Sequence, residues 1–128
     1  MKTVFLIDDD SDDREIFEEA LSSIGIDVDF QEAENGEVAF KKLKDPLFKR
    51  PDIIFLDLNM PKMDGRQFLQ EIKNINAFKD IPVIIYSTSS NAGDIKFTLE
   101  HKATKFMTKQ NSIYSLRSEL ESTLKSML

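Results

Sequence analysis

Val4-Phe5-Leu6-Ile7-Asp8-Asp9 sets four consecutive apolar residues directly before two acids. An apolar run without polar alternation reads as a strand covered on both faces, and such strands belong to parallel sheets. Two further runs repeat the pattern: Ile53-Ile54-Phe55-Leu56 ends at Asp57, and Val83-Ile84-Ile85-Tyr86, introduced by Pro82, ends at Ser87-Thr88. Two poorer strands are predicted where Val28 and Phe30 alternate with acids and at Lys105-Phe106-Met107-Thr108, which runs into Lys109.

Between these runs the period becomes helical. Ile16, Ala20 and Ile24 recur before Gly25, a natural helix terminator. Val38, Ala39 and Leu43 lie between Gly36 and Pro46, and Phe68, Leu69 and Ile72 follow Pro61 and Gly65. Ile95 and Leu99 mark a short, weakly apolar helix, while Ile113, Leu116, Leu120, Leu124 and Met127 give the cleanest stripe. Five strands alternating with five helices predict an α/β fold, a doubly wound parallel sheet flanked by helices, because parallel neighbours require right-handed crossovers. In such sheets ligands bind at the carboxyl ends of the strands. That rule alone gathers Asp8, Asp9, Asp57, Ser87, Thr88 and Lys109 on one rim.

Composition narrows the chemistry. The 128 residues suffice for one domain, and 41% hydrophobic content with ten Phe supports a packed core. The absence of Cys excludes disulfides, thiolate nucleophiles and zinc–cysteine sites. A formal charge of −6 argues against direct nucleic-acid binding. No basic-then-apolar leader opens the chain, and its apolar runs are far too short to span a membrane, so a cytoplasmic protein is expected. The charge is uneven: residues 1–64 hold 17 acids and 8 bases, a net of −9, and residues 65–128 hold 6 acids and 9 bases, a net of +3. Five of the acids crowd into Asp8-Asp9-Asp10-Ser11-Asp12-Asp13. Asp10, Ser11, Asp12 and Asp13 read as a solvated helix start with one of them as the cap. His101 reads as a surface residue.

Carboxylates brought together take up a proton unless a cation neutralises them. An all-oxygen donor set favours Mg²⁺, and a lysine beside it is a point-charge partner for phosphate. With a hydroxyl nearby, these groups make a phosphoryl-transfer site in which an Asp can be the nucleophile. Rival readings fail on particular residues. Asp8-x-Asp10-x-Asp12 with Glu19 mimics a calcium loop, but Asp13 stands where the turn needs Gly, and a strand precedes it. An aspartyl phosphatase built on Asp8 and Asp10 would leave the Asp57 block unexplained. Ser-His-Asp hydrolysis lacks its G-x-S-x-G and has a single His.

Phe5-Leu6-Ile7-Asp8-Asp9, the block Asp57-Leu58-Asn59-Met60-Pro61-Lys62-Met63-Asp64-Gly65, Pro82-Val83-Ile84-Ile85-Tyr86-Ser87-Thr88 and Thr108-Lys109 together resemble the receiver domain of two-component response regulators. The resemblance covers essentially the whole chain. It implies a flavodoxin-like sheet of order 2-1-3-4-5 and a stand-alone receiver over residues 1–128 without an output domain. It implies that Asp57 is the phosphoacceptor, charged from a phosphohistidine on a sensor histidine kinase or histidine phosphotransfer protein. Asp9 would be the direct Mg²⁺ carboxylate, with Mn²⁺ as a substitute, Asp8 would act through water, and the Asn59 carbonyl would supply another oxygen. Lys109 would pair with the phosphoryl group, Ser87 would be the switch hydroxyl and Phe106 the switch aromatic. Output would pass to a downstream protein through the face of the fourth helix, fifth strand and fifth helix, from a monomer or a phosphorylation-dependent dimer, without nucleic-acid or membrane contact. Beyond self-phosphorylation and autodephosphorylation, no enzymatic activity is implied. Three positions depart from the family: Gln110 stands where Pro, often after a cis bond, is usual; Thr88 replaces a common Ala; and Ser89, which with Asn59 governs phosphoryl lifetime, is individual. Gln110 leads to the expectation that Lys109 sits on a different backbone, and it supports an alternative, a receiver-like binding module independent of phosphorylation.

Overall fold

In a computed structural model that describes residues 1–89 and 91–128, the chain alternates strictly. The order is β1 (Lys2–Ile7), α1 (Ser11–Ser23), β2 (Val28–Ala33), α2 (Gly36–Leu43), β3 (Ile53–Leu56), α3 (Gly65–Ile72), β4 (Val83–Ser87), α4 (Ala92–Glu100), β5 (Lys105–Thr108) and α5 (Ile113–Met127). All pairings are parallel, and the sheet runs β2-β1-β3-β4-β5. Ile7 lies opposite both Ala33 and Leu56, so the first three strands end level with one another. The order reverses beside β1, which opens a crevice at the carboxyl edge between β1 and β3.

The unbroken apolar runs are buried throughout, as strands covered on both faces must be. Phe5, Ile7, Ile54, Leu56 and Ile85 face a layer completed by α2 and α3, with Phe40 against Phe68 at 4.5 Å between ring centroids. Val4, Leu6, Phe55 and Tyr86 face the other layer, closed by α1 and α5. Each helix opens on a polar cap: Asp10, Asn35, Asp64, Asn91 and Ser112 accept a hydrogen bond from a backbone N–H of the first turn. Gly25, at φ +74°, ends the first crossover in the left-handed region where a Cβ would be strained.

Two expectations are corrected. The buried stripe of α1 is Phe17, Ala20 and Leu21, with Ile16 43% exposed. Phe17 takes the inward position because its ring meets Phe55 at 5.0 Å, Tyr86 at 5.6 Å and Phe30 at 6.0 Å. Second, β2 continues past Phe30 to Ala33, since Gln31, Glu32 and Ala33 still pair with Phe5, Leu6 and Ile7; an edge strand tolerates those polar residues. The short, weakly apolar helix expected around Ile95 and Leu99 is α4, which buries Thr98 and leaves Leu99 exposed. No helix among the described residues is long and apolar enough to cross a membrane.

Candidate functional site

The sheet positions the rim directly. Asp8, Asp57 and Lys109 each stand one residue beyond a strand, and each backbone N–H still makes a ladder bond to the neighbouring strand. Asp8 donates to the Ala33 carbonyl at 3.0 Å, Asp57 to Ile7 at 2.9 Å and Lys109 to Ser87 at 2.8 Å. The three side chains therefore leave a hydrogen-bonded framework. Among the described residues no peptide bond is cis, so Gln110 follows Lys109 through a trans bond. From this trans backbone Lys109 delivers its ammonium to the rim. The loop after β3 is folded back by Gly65, whose N–H donates to Leu58 O at 2.8 Å. A Cβ at Gly65 would lie 2.1 Å from the Asp57 carbonyl oxygen. This position admits only glycine without displacing the backbone beside Asp57.

Asp8 is fully buried, Asp57 is 5% exposed and Asp9 lies open to solvent. Each offers a carboxylate oxygen, and the three oxygens lie within 4.8 Å of one another. Lys109 Nζ, on a side chain 9% exposed, reaches Asp8 Oδ2 at 2.7 Å, Asp13 Oδ2 at 2.8 Å and Asp57 Oδ2 at 3.5 Å. It also sits 5.4 Å from the centre of the Tyr86 ring. The remaining acceptors are used by backbone: Asp8 Oδ1 accepts from Asp10 N at 3.0 Å, and Asp57 Oδ1 from Asn59 N at 3.4 Å. Arg14 Nη1 donates to the Asp8 carbonyl at 2.7 Å and Arg14 Nε pairs with Glu32 at 3.3 Å, which fixes the chain where β1 turns into α1.

These surroundings shift the ionisations. Burial pushes the Asp8 carboxyl up to about 6, although Lys109 and the Asp10 N–H act against it. Burial likewise raises Asp57, opposed by Lys109, the Asn59 N–H and the Ser87 hydroxyl. Burial would lower Lys109, but Asp13, Asp8 and Asp57 together raise it and keep it charged. Desolvation takes Tyr86 up to about 12. One ammonium thus meets three carboxylates (Asp8, Asp13 and Asp57) with a fourth, Asp9, close to two of them, and Asp8 Oδ2, buried with Lys109 at 2.7 Å, accepts no other hydrogen bond. An all-oxygen, electron-rich cluster with such an atom fits a hard divalent cation, Mg²⁺ or Mn²⁺, and not a thiophilic metal.

The expected residues come together at this rim. Ser87 is buried at the end of β4, and its hydroxyl accepts from Ser89 N at 3.3 Å. Asn59 lies two residues past Asp57 on the exposed loop, and Thr88 is exposed at the mouth. Phe106, opposite Ile85 in the register, is half-buried against the core layer that contains Ala103. His101 stacks on Phe97 at 4.1 Å, and its Nδ1 lies 2.8 Å from the Phe97 carbonyl at the end of α4. Asp10 is the helix cap, as expected of one of the clustered acids. Asp13 is a correction: its carboxylate turns back from the first turn of α1 to hold Lys109. The missed signal was the cap, because a helix begun at Asp10 puts Asp13 three residues in, where side chains lean toward the helix N-terminus. A second unforeseen network joins α3 to α4. Arg66 bridges Asp64 at 3.2 Å and Asp94 at 2.6 Å, and Asp94 also accepts from the Ser89 hydroxyl.

A family model for the response regulator receiver domain matches residues 4–121. The response regulator Rcp1 of Synechocystis sp. is 33% identical over 119 residues, 90% of this chain and 81% of that protein. The crystal structure of the Mn²⁺-bound form of Rcp1 superposes with TM-score 0.85 at 31% identity, covering 95% of this chain and 91% of that one. The phosphorylated cyanobacterial phytochrome response regulator RcpA gives TM-score 0.90 at 32% identity over 98% of this chain and 93% of that one. The sensor histidine kinase CheAY of Helicobacter pylori is 38% identical over 109 residues, 85% of this chain but only 13% of the kinase.

Proposed function

The chain belongs to the response regulator receiver domain family, and on that premise we propose that Asp57 accepts a phosphoryl group from a phosphohistidine, with Mg²⁺ or, in its place, Mn²⁺ at Asp8, Asp9, Asp57 and the Asn59 carbonyl. The observation that carries this reading is the Asp57 carboxylate itself. It is almost buried, yet it opens onto two more carboxylates within 4.8 Å and an ammonium at 3.5 Å. A purely structural buried Asp would be neutralised by one partner and would not be crowded by further acids. The relatives' own descriptions, one Mn²⁺-bound and one phosphorylated, support the same chemistry.

In the transfer, a P–O bond forms to an Asp57 carboxylate oxygen as the phosphoimidazole P–N bond breaks. The departing nitrogen takes back its electron pair and acquires a proton from solvent. The bound cation supplies neutralisation of the charge on the transferring group. Asp57 is held for attack by its backbone bond to Ile7 and by the Asn59 N–H. Lys109 follows the phosphoryl oxygens, and Ser87 turns toward them, carrying with it the Ser89 end of the loop before α4. The altered surface of α4, β5 and α5, including Phe106, is then read by a protein partner. A histidine kinase or phosphotransfer protein is the donor class, in keeping with the receiver-like segment inside CheAY. The setting is cytoplasmic.

Intact-mass measurement after incubation with Mg²⁺ and a small-molecule phosphoryl donor tests the reading. One phosphoryl adduct, lost in Asp57→Asn and on chelation, is expected. No adduct with any donor, or an adduct that survives Asp57→Asn, refutes it.

A further inference from the structure

Asp13 has no part in the transfer as written, yet it is one of the two nearest partners of Lys109. Its Oδ2 takes the ammonium at 2.8 Å, against 2.7 Å for Asp8 and 3.5 Å for Asp57. The ammonium is therefore drawn toward the α1 side of the rim and stands off the acceptor. The Asp13 side chain is 32% exposed and Lys109 is nearly closed in, so the pair is sheltered well beyond an ordinary surface ion pair.

We propose that Asp13 is a positioning residue acting through Lys109, and that its carboxylate opposes the phosphorylated state while favouring the divalent cation. The proposal rests on Asp57 being the acceptor. Two effects act in the same direction against an added phosphoryl group. The Asp13 carboxylate competes for the lysine that a phosphoryl oxygen needs, and its charge repels the incoming anion across the ammonium. For the cation both signs reverse. The extra negative charge attracts it, and holding Lys109 back keeps the ammonium at 3.5 Å from Asp57 Oδ2, a looser grip than the 2.7 and 2.8 Å it makes with Asp8 and Asp13. The residue thereby separates two affinities that a simple acidic pocket would change together.

Asp13→Asn keeps the shape and removes the charge. Calorimetric titrations of the whole chain measure Mg²⁺ alone, then beryllium trifluoride at saturating Mg²⁺; that anion bonds to a carboxylate oxygen in the shape of a phosphoryl group. In Asp13→Asn the Mg²⁺ dissociation constant should rise about three-fold and the beryllium trifluoride constant fall about three- to ten-fold, the size of a partly sheltered ion pair. A residue that merely supported folding would weaken both ligands, and that result, or two unchanged constants, overturns the proposal. Asp13→Glu restores a carboxylate and should return both constants toward those of the unmodified protein. Should Asp13→Asn not fold, Asp13→Gln, neutral and a better helix former, gives the same pair of constants. If the unmodified protein shows no Asp57-dependent binding of beryllium trifluoride, the acceptor reading itself is refuted. Normal binding there, with no divergence in the variant, refutes only the role of Asp13.

Discussion

Replacing Asp8 by Asn should stabilise the metal-free protein at neutral pH, and the gain should disappear in acid. Burial raises the Asp8 carboxyl from 3.8 to about 6 in the fold, so the folded chain holds that proton more tightly than the unfolded chain. Such a group lowers stability as pH rises from about 4 to about 6, and the loss is complete above the folded value. At 1.36 kcal/mol per pH unit, the difference between 3.8 and about 6 corresponds to about 3 kcal/mol. Asn imitates the protonated carboxyl, its amide oxygen can keep the bond from Asp10 N, and Lys109 keeps Asp13 at 2.8 Å. The stability difference between variant and parent should thus widen by about 3 kcal/mol between pH 4 and pH 8. Urea unfolding in EDTA at a series of pH values reads it, as a relative shift in midpoint on the order of 1–3 M for a slope of 1–3 kcal/mol/M. Adding Mg²⁺ should then stabilise the parent by mass action and leave Asp8→Asn almost unmoved. A difference that is flat across pH, or that grows toward acid, would show that Asp8 is not held ionised against its environment.

Further outcomes follow from single positions. Gly65→Ala would place a Cβ 2.1 Å from Asp57 O and 2.6 Å from Leu58 Cα, both backbone, so it should cost about 3 kcal/mol and abolish the phosphoryl adduct, by urea unfolding and intact mass. Phe17→Ala should cost about 3–5 kcal/mol, whereas Ile16→Ser should stay within about 0.5 kcal/mol, and thermal unfolding of the pair checks which face of α1 is buried. Asp10→Ala removes the cap that accepts from Asp12 and Asp13 and should cost about 1 kcal/mol, again by urea midpoint.

The fold was legible where the physics leaves one option. In β1, β3 and β4 burial on both faces removes polar alternation from the apolar runs, and the strand limits emerge within two residues of those runs. Edge strands are less legible: β2 carries Asp29, Gln31 and Glu32 on a half-exposed strand, so only its pairing with β1 reveals its length. The face of α1 was misread because Ile16 and Phe17 are adjacent and both apolar. Spacing alone does not choose between them; the aromatic contacts across the sheet do. Asp8, Asp57 and Lys109 were readable because each directly follows a strand, where position along the chain is position on the rim. Asp13 was not, because its approach depends on where α1 starts and which way the first turn leans. Arg66 and Asp94, 28 residues apart in the first turns of α3 and α4, carry no local signal at all.

The legible and the hidden residues combine into one electrostatic device. Three carboxylates surround a single ammonium with Asp9 beside two of them, and three of these five charged groups grow from backbone that is locked by ladder bonds at Asp8, Asp57 and Lys109. Because the sheet does not yield, the excess negative charge is not relieved by the groups moving apart, and neutralisation must come from a proton or a bound cation. This explains why the total charge of the chain was a poor guide. The acid-rich half supplies the carboxylates of β1, α1 and β3, and the basic half supplies the one lysine, at the end of β5. The fold joins them only at the carboxyl edge of the sheet. Ser87, between the strand that ends at Asp57 and the strand that ends at Lys109, is a small neutral group at that edge, and its hydroxyl leads by way of Ser89 to Asp94 and Arg66. A change in charge at Asp57 therefore meets a rigid wall on the β1 and β3 side. On the β4 side it meets hydrogen bonds that run from the Ser87 hydroxyl through Ser89 to Asp94 of α4 and Arg66 of α3.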